Sequence, residues 1–340
     1  MKFLKTWMAM MTVAAALGAT SAAQAQAELP TLRFGTYAGT LSNMPAFVAD
    51  KKGLCVKHGF KCQFTVLNSG PLQLQAMLGK SIEVGFFAPE VAFGGILKGA
   101  DIQAVVGGYR PQPYVVVVRS DVPRPNRDKG YPEAFKDMKG LKIGVPARGT
   151  GAELHLTELL AQAGIKTEDV TLVAVGGPGT ALPAMLVGKQ VEATINFPPI
   201  AELCNANKAC ASVVDLSRGE GPASIRDMIG ASVPSWMTRD FIQANPKLVA
   251  SMISAFKEAD EWIHNPGNLD ELVALYAEWI PMKDVKDGDQ LRRTWIQSQV
   301  PQYSTNLDRK ALAAIHTYAL KAKLIDKPVD LVRVVHVNAP

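Results

Sequence analysis

One spacing constrains this chain more than any other: short runs recur 109 residues apart. Leu32-Arg33-Phe34-Gly35 returns as Leu141-Lys142-Ile143-Gly144, and Gly79-Lys80-Ser81-Ile82-Glu83-Val84 as Gly188-Lys189-Gln190-Val191-Glu192-Ala193. Pro89 has its counterpart in Pro198, and Asn68-Ser69-Gly70-Pro71 falls opposite Gly177-Pro178-Gly179-Thr180. Ala76-Met77-Leu78 and Ala184-Met185-Leu186 match with a one-residue displacement. A single match is uninformative, but several at one offset indicate two related folding units.

Each unit reads as strand, helix, strand, helix, strand. In the second, Leu141–Val145, Val170–Val175 and Val191–Phe197 are apolar strand runs, and 151–163 and 180–187 have helical spacing. The first repeats the plan over 32–106. Alternation of this kind predicts an α/β protein with parallel sheets covered on both faces, two doubly wound lobes in all. Tyr114–Arg119 and Ile229–Met237 read as extended. They suit an outgoing and a returning strand of a two-strand hinge. From Thr238 the chain turns helical over 245–264, 268–278, 288–299 and 309–322, and this tail is expected to pack on the first unit. The polar, Pro-rich 120–139 reads as a surface loop. The expected division is 28–113 plus 236–340 for lobe I and 114–235, hinge strands included, for lobe II.

At 340 residues with 48% apolar and 20% charged side chains, the chain has material for about two cored domains. The formal charge of +5 is spread thinly. No basic block of the kind nucleic-acid binding needs occurs, so that class is set aside. Lys2 and Lys5, the apolar run from Trp7 to Leu17, and the small residues Ala23-Gln24-Ala25-Gln26-Ala27 have the three-part pattern of a secretory signal over 1–27. The run is too short to cross about 30 Å of hydrocarbon, so an anchor is the weaker reading. The expected product is soluble, periplasmic and monomeric.

Four cysteines suit an oxidising compartment. Cys55 lies near Cys62 and Cys204 near Cys210. Two local bridges, each contributing about 2 kcal/mol, are favoured over free thiols. Four cysteines still allow three pairings. Cys-x-x-Cys metal spacing is absent.

In parallel sheets ligands sit beyond the carboxyl ends of the strands. The candidate site is therefore the equivalent strand-end loops of the two units. In the first these carry Tyr37, Gly39, Thr40, Ser69, Phe87, Ala88 and Pro89; in the second, Arg148, Gly149, Thr150, Gly151 and Asn196. Arg148-Gly149-Thr150-Gly151 is the sharpest signal. Two glycines allow close backbone approach, a helix N-terminus follows, and Arg148 adds a charge. The competing reading is an ordinary cap, with Thr150 satisfying its own helix. Tyr37 is taken for ligand stacking, Phe87 for the cleft because it falls opposite Asn196, and Tyr109 and Arg110 as weaker candidates. Glu90 reads as a solvated or capping carboxylate and His155 as a structural histidine. The five histidines are scattered, and no H-E-x-x-H, G-x-S-x-G or phosphate-loop motif occurs. No cofactor, metal or catalysis is expected.

Taken together, Leu32–Tyr37, Gly79–Gly85, Met138–Val145 and Gly188–Ala193 resemble the substrate-binding proteins of ABC importers, in the branch for nitrate, sulfonate, taurine and thiamine-precursor uptake. The likeness runs over about residues 32–240. It implies a type II periplasmic-binding fold whose lobes close on a small-molecule ligand, and delivery to an ABC permease in the inner membrane. It also implies that Tyr37–Thr40, Phe87–Pro89 and Gly149–Gly151 hold the ligand. Phe86-Phe87-Ala88-Pro89 replaces the small polar turn of the sulfonate pattern, and Gly149-Thr150-Gly151 a Ser-rich one. An acid with an apolar or aromatic body is therefore as good an expectation as an inorganic ion. Two alternatives stand beside transport: an enzyme of pyrimidine-precursor type, and an adaptor presenting ligand to a membrane sensor.

Overall fold

A computed structural model describes residues 28–41, 43–226, 228–283, 285 and 287–340. The expected signal segment, 1–27, lies outside the described residues. Among those described, no helix is long and apolar enough to cross a membrane.

Ten strands among the described residues carry the fold. They are β1 (Thr31–Thr36), β2 (Lys61–Val66), β3 (Gly85–Phe86), β4 (Ile102–Tyr109), β5 (Val115–Arg119), β6 (Lys142–Val145), β7 (Thr171–Ala174), β8 (Ala193–Asn196), β9 (Cys210–Asp215) and β10 (Val233–Thr238). In lobe II the order is β7-β6-β8-β5-β9. In lobe I, β1 pairs in parallel with β2, and β10 lies between β3 and β4. A parallel bridge from Phe34 to Val84 joins the two pieces. The lobes thus share one strand order, and β1 to β4 correspond to β6 to β9 at the 109-residue offset. In each, the strand from the other half fills the fourth place and runs antiparallel to its neighbours.

The crossing strands explain themselves chemically. Val115, Val116, Val117 and Val118 are all at most 1% exposed, as a central strand with both faces covered requires. β-branched side chains also stiffen the extended backbone. The return begins later than expected, with β10 starting at Val233. Where the crossings pass, Gly230 N–H and Ser232 Oγ both donate to Arg110 O (2.8 and 2.9 Å).

The tail builds lobe I. Helix Pro246–Ile263 buries Val249, Met252, Ile253, Phe256, Ala259 and Ile263 on one stripe. It packs on helices Met44–Lys51 and Leu54–Lys57. Helix Arg309–Lys321 lies on helix Pro89–Leu97, and Val335 bridges to Ala104 of β4. The expectation of a surface loop over 120–139 holds for 120–132 and fails beyond it. Glu133–Met138 forms a 3₁₀ turn that buries Ala134, Phe135 and Met138, because its apolar residues at three-residue spacing fall on one side and cover helix Gly151–Gln162. Cys55 is bonded to Cys62 and Cys204 to Cys210. Each bridge ties a helix to an adjoining strand.

A candidate solute site between the lobes

The strand-end loops of the two lobes meet in one seam. Tyr37, Asn68, Ser69, Gly70, Ala88 and Val91 line it from lobe I; Pro146, Thr150, Gly151 and Phe197 line it from lobe II, with Tyr114 at the crossing. The cavity is about 10 Å³, room for about one water, so the lobes must part to admit a solute.

Local sequence sets the loops. Ser69 caps helix Gly70–Leu78 by accepting from Leu72 N (3.3 Å). Asn68 Oδ1 accepts from Ala38 N at 3.0 Å and ties the first loop to the second. Fully buried Gln73 accepts from Phe86 N (2.8 Å) and donates to Leu67 O (3.1 Å), joining the second loop to the third. In lobe II, Thr150 caps helix Gly151–Gln162. Gly149 takes φ +71°, a left-handed turn where glycine is unstrained. A Cβ on Gly151 would lie 2.5 Å from Tyr114 OH and 3.0 Å from Ala88 Cβ. Gly151 is thus where the facing lobe comes against a bare backbone.

Three helix N-termini line the seam, those of Gly70–Leu78, Pro89–Leu97 and Gly151–Gln162. First-turn amides have no acceptor within their own helix, and the summed peptide dipoles leave partial positive charge there. No Lys, Arg or His is in the described lining. Much of the rest of the wall is aromatic. The Phe197 ring lies 5.2 Å from Tyr37 and 5.4 Å from Tyr114. Burial pushes the phenols of Tyr37 and Tyr114 upward, so both stay neutral.

Of the sequence candidates, Tyr37, Ser69, Ala88, Thr150 and Gly151 line the seam. Thr40 lines an adjoining cavity, Pro89 is the first residue of its helix, and Gly39 turns the first loop at φ +66°. Three expectations are corrected. Phe87 is 1% exposed and stacks on Trp236 inside lobe I (5.7 Å), whose indole donates to Phe87 O. Its place opposite Asn196 gave the strand end but not the direction of its side chain. Arg148 is 61% exposed at the rim and pairs with Glu153, which also accepts from Gly149 N (2.7 Å). The Arg-Gly-Thr-Gly run therefore caps itself. Asn196 spends its amide inside lobe II, donating to Gly176 O and accepting from Phe197 N.

Glu90 is also unlike its expectation. It is 4% exposed, and loss of solvation raises its pKa to about 7, against a smaller lowering by its own amide. Across the seam, fully buried His155 lies 3.6 Å from it and bonds Gln112 at 2.7 Å. Burial lowers His155 to about 3. Reading the sequence alone missed this pair, because a carboxylate one residue past a Pro resembles any helix start.

The chain matches the model of the NMT1-like family over residues 25–277. A binding protein of Brucella abortus is 27% identical over 234 residues, 68% of this chain and 66% of that protein, just under two thirds of its length. A 4-amino-5-hydroxymethyl-2-methylpyrimidine phosphate synthase of Uromyces fabae is 24% identical over 66% of this chain and 64% of the enzyme. The alkanesulfonate-binding protein SsuA of Xanthomonas axonopodis, solved with MOPS bound, superposes with a TM-score of 0.67 at 18% identity, covering 91% of this chain and 99% of SsuA. The architecture is the periplasmic-binding-protein fold. The chain belongs to the NMT1-like family.

Proposed function

We propose that the chain is the periplasmic solute-binding component of an ABC importer, capturing a small acidic solute between its lobes and handing it to an inner-membrane permease. The observation that carries this reading is the convergence of three helix N-termini, drawn from both lobes, on a seam walled by aromatic rings. Amides and dipoles hold an acid group without a fixed cation. Contacts to both lobes at once favour the closed arrangement, since a solute shifts a conformational equilibrium only by its differential affinity. Tyr37, Ser69, Ala88, Thr150 and Gly151 carry the recognition, and the two crossings, between β4 and β5 and just before β10, give the hinge.

The test is a thermal-shift screen of nitrate, sulfonates, carboxylates and pyrimidines, followed by small-angle scattering on any hit. At a hundredfold excess over Kd, binding adds about 2.7 kcal/mol, which reads as a rise of several degrees. Compaction must accompany it. A screen in which no acid shifts Tm overturns the proposal.

The second reading is an enzyme of the pyrimidine-precursor type, favoured by the synthase relative. All four cysteines are in disulfides, which leaves no thiolate for a Cys-rich metal site. Stoichiometric iron in the purified protein would favour this reading over transport.

A further inference from the structure

The seam does not end at Phe197. A second cavity, about 20 Å³, lies on the other side of that residue. Its lobe I wall is Thr40, Leu41, Tyr109, Trp295, Gln299 and Tyr303, and lobe II closes it with Phe197 and Pro198. Both cavities open between the lobes and both are lined by Phe197, so parting the lobes merges them. Their chemistry differs. The first has three helix N-termini; the second is ring and aliphatic carbon almost throughout.

Most polar groups of the second cavity are already engaged. Tyr109 OH donates to Gln299 Oε1 at 2.7 Å. Tyr303 OH donates to Leu41 O, and Thr40 Oγ1 to Tyr37 O. Trp295 is the exception. It is 2% exposed, and its indole Nε1 has no hydrogen-bond partner among the described residues. A buried N–H left unmade costs about 1–3 kcal/mol, and an indole N–H is only a donor. A group at this position that accepts a hydrogen bond would recover that cost.

We infer that the second cavity is a subsite for the body of the solute: a flat, apolar ring carrying a hydrogen-bond acceptor for the Trp295 indole. This rests on the acidic-solute reading and narrows it. The acid group meets the helix N-termini, Phe197 lies at the junction, and the ring lies among Tyr109, Trp295 and Tyr303. The ligand class is then an aryl or heteroaryl acid in place of an inorganic ion or a short alkyl acid.

The experiment is calorimetric titration with two series of three probes. One is methanesulfonate, benzenesulfonate and pyridine-3-sulfonate; the other is acetate, benzoate and nicotinate. The expected result is at least a tenfold gain from the alkyl to the phenyl acid and about a threefold further gain from the ring nitrogen. Trp295→Phe keeps the ring wall and removes the N–H. It should retain the first gain and erase the second. Equal affinity for the alkyl and phenyl acids overturns the subsite on the unaltered protein, whatever the variant does, and leaves the acidic pole standing. Persistence of the nitrogen gain in Trp295→Phe overturns the role of the indole. Failure of all six probes to bind overturns the subsite, whereas failure of every acid in the wider thermal-shift screen overturns the acidic-solute reading itself.

Discussion

The loops after the first strand of each lobe, beginning at Tyr37 in lobe I and at Pro146 in lobe II, occupy equivalent places in one strand order, yet they are held differently. The lobe II loop fixes itself: Thr150, Glu153 and Gly149 bond within a few residues of one another, and Arg148 sits at the rim. The lobe I loop has one local bond of the same kind, from Thr40 Oγ1 to Tyr37 O, but is also fixed from far away. Trp279 Nε1 donates to Thr40 O at 3.1 Å, and Tyr303 OH donates to Leu41 O. Both donors come from the helical tail, which has no counterpart in lobe II. The duplicated units therefore supply the helix N-termini of the seam, and the unduplicated tail supplies Trp295, Gln299 and Tyr303 to the second cavity. On this view, general affinity for an acid comes from the symmetric part and discrimination from the asymmetric part.

The sharpest way to break that comparison is at Gly151, the bare point that faces Ala88. Gly151→Val should abolish solute-driven compaction in scattering, and it should also lower the denaturant midpoint of the free protein, because its Cβ meets buried Tyr114 OH at 2.5 Å within the same lobe. A variant that still compacts would show that lobe I does not close on this residue. Next come the disulfides, one in each lobe. Cys55→Ser with Cys62→Ser, and Cys204→Ser with Cys210→Ser, should each lower unfolding free energy by about 2 kcal/mol. Equal losses by urea denaturation would indicate comparable bracing of the two lobes. A loss at only one would place the braced lobe.

The Glu90–His155 contact tests whether the lobes are closed in solution. A raised Glu90 contributes stability that is full below about 4.5 and lost as pH rises through about 7. A lowered His155 contributes stability that is full above about 6.5 and lost as pH falls toward about 3. Between about 4.5 and 6.5 the two oppose each other, so the denaturant midpoint should be flat there and decline at lower pH. Glu90→Gln removes one arm, and stability should then fall continuously from about pH 6.5 downward. An unchanged profile would mean that the pair is solvated. Of smaller size, Trp279→Phe should cost about 1 kcal/mol through the lost bond to Thr40 O. Arg148→Ala should change stability by about 0.5 kcal/mol or less, as exposed pairs do; a tenfold loss of acid binding in that variant would restore Arg148 to the site.

The difference between the two loops also explains what the residues disclosed. The repeat placed β1 to β4 and β6 to β9, because strands and their following glycines keep their spacing when the covering helices diverge. It located the seam at Ser69, Ala88 and Gly151 for the same reason. It could not orient Phe87, since a side chain at a strand end has a core side and a cleft side and only packing against Trp236 decides between them. Nor could it weigh Arg148, whose nearest carboxylate lies five residues on. Trp295, Gln299 and Tyr303 gave no signal at all. Helix Gly288–Gln299, with Tyr303 just beyond it, repeats nothing earlier in the chain, and an amphipathic stripe reads the same whether it faces a core or a cavity. The buried turn over 133–138 was hidden by its charges and by the prolines that precede it, which dominate a composition window while three apolar residues do the packing.

The exchange of crossing strands has a bearing on assembly order. β3 and β4 are separated in their sheet by β10, so the segment that leaves the ribosome first must wait for Val233–Thr238 before its hydrogen bonds close. The middle of the polypeptide has no such wait, because every strand of its sheet lies between Val115 and Asp215. Maturation should run from the centre outward, with the amino-terminal third held open as an unfinished edge until the far end arrives to seal it.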